Sequence, residues 1–507
     1  MSETKSGPIQ PTDGDAVAAR AAGAQFDAEA AVTLSEVMKR RSTATSEVGA
    51  GMNVAIVSDG EPDDFSAVLL VSRYLADRWY KGGGGGRGDG SAAVKKGKVL
   101  LVGTRRRADA VTALLAKAAA TFLAPGDFEA VEGGSTDGVA GESRFADAHG
   151  EVFPATVAPP LSEPRPPAVA ADRARRFLAA GRIVDFIAQG PCVILLMSAP
   201  TDLTDPTPLR GVVEERQDGV GSGDSVLQRV ERLALAANVR AVYSFGGPNL
   251  RRDAYGRAAP LLPGYYCEPW SLASPHVAIG AKSNSFNWRL APAAVGELLA
   301  FCERNRVLHL VACPGLYANS VGPVAELALP AGASPADAAL AARAVGKVLH
   351  LHSFDARFRD FLERLAASPI EGLRCAARWM RLWNDTVVKE HPLVAERAVI
   401  SPGVLQCTTA DLFVSALFAA CEGGGTPAAT PSGAPAGPSS ISSSSSSTTT
   451  PLDDVVLVPF GVKHARSVAD ICLYPSSRAA DATSFLVTHM PLDRYMLPLL
   501  RNLVRVE

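Results

Sequence analysis

Met52-Asn53-Val54-Ala55-Ile56-Val57-Ser58-Asp59-Gly60-Glu61-Pro62-Asp63-Asp64-Phe65 carries three signals in succession. Residues 52–57 form a short apolar run with the pattern of a buried strand. Residues 58–64 are a polar turn, and from Phe65 onward Val68, Leu69, Leu70, Val71 and Leu75 recur at helical spacing. Strand, turn and amphipathic helix together open a βαβ unit, and the alternation continues downstream. Strand-like runs follow at Lys98–Gly103, Cys192–Ser198, Val239–Phe245, Val307–Cys313 and Val455–Phe460. Helical patterns lie between most of them, at Ala108–Leu123, Arg173–Ile187, Val226–Ala237 and Pro292–Glu303. The expected fold is α/β, with a mostly parallel central sheet and helices on both faces. Right-handed crossovers put the loops that follow the strands along one edge, where such sheets bind ligands.

The turn after the first strand sets the chemistry. Asp59, Glu61, Asp63 and Asp64 crowd four carboxylates into six residues. Like charges that close repel unless a cation neutralises them or a proton stays on. Hard divalent cations take oxygen ligands, and Ca2+ accepts six to eight of them in a flexible shell. Two aspartates, one at the strand end and one on the first helical turn, can reach a single ion. An acidic helix start explains the same residues, because Asp and Glu are favoured near a helix N-terminus. The turn alone does not decide between the two.

Bulk properties narrow the classes. The chain has 507 residues, 47% hydrophobic and 20% charged, enough to bury a large core. A net charge of -2 argues against nucleic acid or an anionic membrane surface as the main partner. The eight cysteines form no C-x-x-C pair, and several sit in apolar runs such as Pro191–Leu196. They read as small buried hydrophobes of a reducing compartment. No secretory signal and no membrane-length apolar stretch is read, so a cytoplasmic protein without a membrane partner is expected.

Residues 1–50 read as a flexible leader, with an amphipathic helix near 28–41 as its structured option. Residues 51–507 read as a single α/β domain with disordered insertions near 81–97 and 422–452, where Gly, Ser and Thr accumulate. The run Gly82–Gly86 lacks the G-x-x-x-x-G-K-[ST] pattern, so it is a flexible insertion before it is a phosphate cradle. Residues 335–400 read as mostly helical, with Trp379, Met380, Leu382 and Trp383 on a packing face. His350 and His352 are close in sequence but lack an evident third ligand. Arg105–Arg107 reads as a solvated basic run. Tyr265, Tyr266, Trp270, Phe286 and Trp288 could stack a nucleobase, and core packing explains them equally.

Val54–Ala67 resembles the D-x-D-P-G-x-D-D signature of the nucleoside hydrolases, the inosine-uridine-preferring N-ribohydrolases. Four later segments resemble that family's motifs in the order it requires. Val193–Leu203 is similar to an apolar strand ending in P-L-T-N-L, and Tyr243–Gly247 to a strand ending in M-G-G. Ser285–Ala294 is similar to E-F-N-x-x-x-D-P-E-A-A, and Thr408–Val414 to the H-D-x-x-A that opens a late helix. The resemblance spans about residues 52 to 475, interrupted by the insertions.

The resemblance implies a Ca2+ ion at the bottom of a pocket, where it binds the ribose 2′- and 3′-hydroxyls and the attacking water. Asp59, Asp64, the main-chain carbonyl of Thr201 and the Asp411 carboxylate would be the metal ligands. Asp59 would also be the catalytic general base. Asp63, Asn287 and Asp411 would contact the substrate, a small-molecule nucleoside or related ribosyl compound, whose N-glycosidic bond is hydrolysed. The family often forms homodimers or tetramers, so a homo-oligomer is compatible. The departures are specific: Val57 replaces an aspartate, Ser285 the glutamate of E-F-N, Thr104-Arg105-Arg106 the usual G-N-V, and Ala410 the histidine before Asp411. They imply altered specificity, or a catalytically weakened metal- and ribosyl-binding relative without hydrolase activity.

Overall fold

Residues 53–58 are buried at every position and hydrogen-bond a parallel neighbour on each side. The computed structural model describes residues 32–42, 51–81, 96–104, 108–134, 169–205, 224–247, 251–252, 258–259, 277–278, 287–288, 291–312, 361–383, 410–422, 452–464, 471–475 and 481–505. Its strands are β1 (Val32–Thr33), β2 (Asn53–Ser58), β3 (Val99–Gly103), β4 (Phe128–Glu132), β5 (Cys192–Met197) and β6 (Val239–Phe245). They continue as β7 (Arg251–Arg252), β8 (Ala258–Ala259), β9 (Val277–Ala278), β10 (Leu308–Ala312), β11 (Val456–His464), β12 (Ile471–Pro475) and β13 (Ser484–His489). The helices that matter below are α1 (Leu34–Ser42), α2 (Pro62–Ala76), α3 (Ala108–Ala120), α4 (Val169–Ala188) and α5 (Thr201–Thr204). After them come α6 (Val226–Arg232), α7 (Pro292–Asn305), α8 (Glu371–Trp383), α9 (Ala410–Glu422) and α10 (Leu492–Leu503).

Eleven of these strands make one sheet in the order β4-β3-β2-β5-β6-β10-β13-β11-β12-β9, with β1 added to β11. From β4 to β13 every pairing is parallel; β11, β12 and β9 then add antiparallel. The expected α/β architecture is therefore present, with an antiparallel flank. Alternation along β2 divides the core: Val54 and Ile56 face one apolar cluster, Ala55 and Val57 the other. The first cluster is closed by α2, α3, α8, α9 and α10. The second is closed chiefly by α4, α6 and α7. Residues such as Phe65, Leu195 and Phe418 are essentially without solvent exposure, and each contributes roughly 1.5–3 kcal/mol by burial.

The chain leaves β2 towards β3 and β4, then crosses back to lay β5 on the other side of β2. This reversal opens a crevice at the carboxyl ends of β2 and β5, the place where open α/β sheets bind ligands. The acidic turn follows β2 and Thr201 follows β5 at that crevice.

Several expectations need correction. Within the stretch read as a flexible leader, the amphipathic helix offered near 28–41 is present as α1 and is docked on the fold: Val32 pairs with Leu457, and Leu34 and Val37 are buried in the first cluster. Arg41 Nη2 also donates to the Arg240 carbonyl at 2.5 Å. An apolar helical face that meets an open sheet edge is buried with it. Two strands that the sequence did not single out, Ile471–Pro475 and Ser484–His489, follow the one at 455–460, and the latter joins the parallel core. The helix at 226–237 stops at Arg232, where Leu233 closes it and Ala234 turns to φ 55°. The edge strand β4 was not expected, since Phe128–Glu132 is short, carries two glutamates and has neither a continuous apolar run nor a regular alternation. Arg105–Arg107, Tyr265, Tyr266, Trp270, Ser285, Phe286, His350, His352 and most of the two insertions lie outside the described residues. Among the described residues no helix is long and apolar enough to cross a membrane.

Candidate metal centre

The turn after β2 is held by its own side chains. Gly60 adopts φ 79°, which glycine reaches without steric cost, and the chain then enters α2 through Pro62 at its first turn. Glu61 is the N-cap but makes no side-chain cap hydrogen bond. Asp64, at the third helical position, instead reaches back to brace the turn before the helix. Its Oδ2 accepts from the Asp59 and Gly60 amides, each at 3.0 Å, and from Ser58 Oγ at 2.6 Å. Gly60 N also reaches Ser58 Oγ at 3.1 Å. Three donors on one carboxylate oxygen fix the plane of the Asp64 side chain.

The other oxygen of Asp64 has no such donor. Asp64 Oδ1 and Asp411 Oδ1 are both buried, and neither has a hydrogen-bond donor from outside the carboxyl pair itself. Asp411 comes from the first turn of α9, where the positive end of the helix dipole favours an anion. Ser415, one turn later, ties α9 to α2 by donating to the Ala67 carbonyl at 3.2 Å. The result is that carboxylate oxygens of Asp63, Asp64 and Asp411 all lie within 4.8 Å of one another, and all three residues are buried. Burial, then the charges of Asp59 and Asp63, push the Asp64 carboxyl well above its usual range. Burial, then Asp64 and Asp63, do the same to Asp411. Such a trio is stable only if protons stay on or a cation enters.

A divalent cation suits this donor set. The ligand atoms are all oxygens, they carry like charge, and two of them are orphaned in the protein interior. The acidic helix start and the metal site, alternatives in the sequence, divide between the two oxygens of Asp64. One oxygen caps the turn and the other faces Asp411.

Asp59 is buried at the end of β2, close enough for its charge to act on both Asp64 and Asp411, although it is not one of the three clustered carboxylates. Thr201 is buried as the first residue of α5, at the same sheet edge. Its carbonyl accepts the Asp205 amide at 2.9 Å, and a carbonyl oxygen has a second lone pair. Asn287 reaches this edge as well, donating from Nδ2 to the Met197 carbonyl at the end of β5, at 3.3 Å. The neighbouring Trp288 is buried against the turn after β6. A Cβ on Gly246 would lie 1.9 Å from its indole nitrogen, so that position needs glycine.

Sequence reasoning missed two contributors. Ser58 was read only as part of a polar turn, yet it braces Asp64. Trp379 was read as core packing, yet its indole Nε1 donates to the Gly60 carbonyl at 3.1 Å. No local signal marks either, since each role depends on where a distant element lands. Asp202 is a third structural support. Its Oδ1 accepts the Gly134 amide at 2.6 Å and joins the exit of β4 to α5.

No protein-family model and no curated protein matches the chain. Among solved structures it is similar to a plant nucleoside hydrolase, with 12% identity and a TM-score of 0.43, over 90% of this chain and 99% of that one. An inosine-guanosine nucleoside hydrolase is similar at 10% identity and a TM-score of 0.41, over 90% and 100% of the two chains. The type III effector protein XopQ, complexed with adenosine diphosphate ribose, is similar at 13% identity and a TM-score of 0.41, over 93% and 98%. Likenesses at this level carry no argument about activity, which rests on the residues of the site.

Proposed function

We propose that this protein is a nucleoside hydrolase-like N-ribohydrolase that cleaves the N-glycosidic bond of a nucleoside or related ribosyl compound, with Ca2+ as its cation. The observation that carries the proposal is the convergence of Asp63, Asp64 and Asp411 within 4.8 Å, from two distant elements, with two buried oxygens lacking donors. Asp59, Asp64, Asp411 and the Thr201 carbonyl would hold the ion. When bound, the cation supplies the positive charge that neutralises the carboxylates, fixes vicinal hydroxyls and makes a nearby water more acidic.

The chain's own residues have distinct tasks in this account. Asp63, Asp411 and Asn287 orient the ribose by accepting from and donating to its hydroxyls. Asp59 accepts the proton of the attacking water as general base. As the glycosidic bond lengthens, positive charge grows on the ribose, and the buried carboxylates stabilise it in a low-dielectric setting. Ala410 gives the leaving base no proton donor beside Asp411. A base that departs readily without one is therefore the preferred leaving group.

Ala410 also favours a second reading, a relative that binds the cation and a ribosyl ligand without turnover. Release of free base from a panel of purine and pyrimidine nucleosides separates the two. Turnover that needs both Ca2+ and Asp59, and is lost in Asp59→Asn, establishes the hydrolase. Ribose-compound binding with no base released from any nucleoside establishes the binding protein instead.

A further inference from the structure

We propose that Trp379 is a positioning residue of the cation site, acting through the backbone of the acidic turn. The inference rests on the cation reading of Asp63, Asp64 and Asp411 and adds a remote determinant of its affinity. Helix α8 presents two unlike faces. Glu371, Arg374 and Arg378 pair with one another on the outer one. Cys375, Ala376, Trp379 and Met380 are buried on the inner one.

The N-terminal end of α8 is pressed against the last turn of α3. A Cβ on Gly372 would come within 1.9 Å of Thr121 Oγ1, so any larger residue there would force Thr121 or the helix to move. Two turns later, that placement sets Trp379 beneath the acidic turn, with no solvent exposure. Its indole N–H is a donor only, and a buried donor needs an acceptor. The acceptor is the Gly60 carbonyl, at 3.1 Å.

Gly60 is the residue whose backbone does most in the turn. It holds φ 79°, its amide donates to Asp64 Oδ2 at 3.0 Å, and its carbonyl takes the indole. Packing holds the Trp379 ring in one place, and the hydrogen bond then selects one setting of the Gly60 peptide. That setting keeps the Asp59 and Gly60 amides on Asp64 Oδ2 and so leaves Asp64 Oδ1 directed away from them. A loosened turn lets Asp64 rotate, and a rotated carboxylate is a poorer ligand. Trp379 therefore influences the ion through one peptide and one carboxylate, without touching it.

The test compares Ca2+ affinity, by calorimetry on the full chain, in wild type, Trp379→Phe and Met380→Leu. Trp379→Phe keeps an aromatic ring but removes the donor, and weakens Ca2+ binding about fivefold to tenfold, the size of one lost hydrogen bond. Met380→Leu changes the same buried face, lowers the melting temperature, and leaves the Ca2+ affinity unchanged. If Trp379→Phe lowers the melting temperature equally with and without Ca2+ and its affinity equals that of wild type, Trp379 is only core and the inference fails. If wild type itself binds no Ca2+, the cation reading fails and this inference falls with it.

Should Trp379→Phe not fold, wild type carries the test. The chain has five tryptophans, hence five indole N–H signals in a 15N-labelled sample. Slower solvent exchange of one already protected indole on adding Ca2+ supports the coupling. Five signals unchanged between saturating Ca2+ and chelator, with Ca2+ bound, overturn it.

Discussion

The carboxylates of Asp64 and Asp411 meet inside the fold within 4.8 Å, one from the helix after β2 and the other from a late helix of the domain. Each keeps one buried oxygen without a hydrogen-bond donor. That pair places two charges where the protein alone cannot satisfy both, and it separates this site from an ordinary acidic helix start.

The first prediction concerns stability without metal. Both carboxyls are pushed well above the ordinary aspartate range by burial first, then by neighbouring carboxylates, Asp59 and Asp63 for Asp64 and Asp64 and Asp63 for Asp411. A folded-state value above the unfolded one gives stability that is complete below the unfolded value and is lost as pH rises through the folded value. Chelated protein is therefore expected to lose stability as pH rises from about 4 towards neutrality. Asp411→Asn should raise the melting temperature of the chelated protein at neutral pH and remove its gain on adding Ca2+. Thermal unfolding with and without chelator checks both, and a chelated wild type that gains stability over that range speaks against the account.

His309 predicts an opposite, acid-side instability. It is fully buried in β10, its Nε2 lies 2.7 Å from Ser244 Oγ, and Nδ1 has no partner. Burial lowers its pKa from 6.5 to about 3. The folded state refuses a proton that the unfolded state accepts, so stability falls as pH drops from 6.5 towards 3, by about 1.4 kcal/mol per pH unit at most. In His309→Leu combined with Ser244→Ala, that part of the slope should vanish. Urea midpoints measured between pH 7 and pH 4.5 show whether it does.

Gly246→Ala should damage the site from the other side of the crevice. The new Cβ would sit 1.9 Å from the Trp288 indole nitrogen, so the indole or the turn must move. Overpacking of this kind costs roughly 1–3 kcal/mol. Asn287 adjoins Trp288, and loss of ribosyl-ligand affinity should accompany the lower urea midpoint. Unchanged ligand affinity in a destabilised variant would remove Asn287 from the proposed binding set.

Ser58→Ala removes the shortest of the three donors to Asp64 Oδ2, at 2.6 Å. Two backbone amides remain, so the turn should survive with a loss of about 1–3 kcal/mol for a charged partner. Ca2+ affinity should fall several-fold while the fold persists by circular dichroism. An unaltered affinity would mean that the amides alone orient Asp64.

Much of this fold could be read from the chain because its parallel strands are buried on both faces. Val54–Val57 and Cys192–Met197 are continuous apolar runs, Val239–Phe245 is one broken only by Arg240 and Ser244, and such runs announce themselves. Edge and antiparallel strands do not. Phe128–Glu132 is short with two glutamates and no regular pattern, and Ile471–Pro475 is short and flanked by residues of no clear pattern. The acidic turn was legible as four crowded carboxylates, and Asp411 only through its likeness to a family motif. Ser58 and Trp379 were not legible, because a brace on a carboxylate depends on which peptide lies nearest after packing. The helix at 34–42 was legible as an amphipathic option, but its docking was hidden for a related reason. An amphipathic face shows that something is buried against it, but not that the partner is the edge beside β11.

The most direct measurement is a calorimetric titration of Ca2+ into the chelator-treated full chain, run beside Asp411→Asn. The account predicts a single saturable site in wild type and none of comparable affinity in Asp411→Asn, with both proteins folded by circular dichroism. No saturable heat in wild type, or equal affinity in Asp411→Asn, would contradict the assignment of Asp63, Asp64 and Asp411 as a cation site.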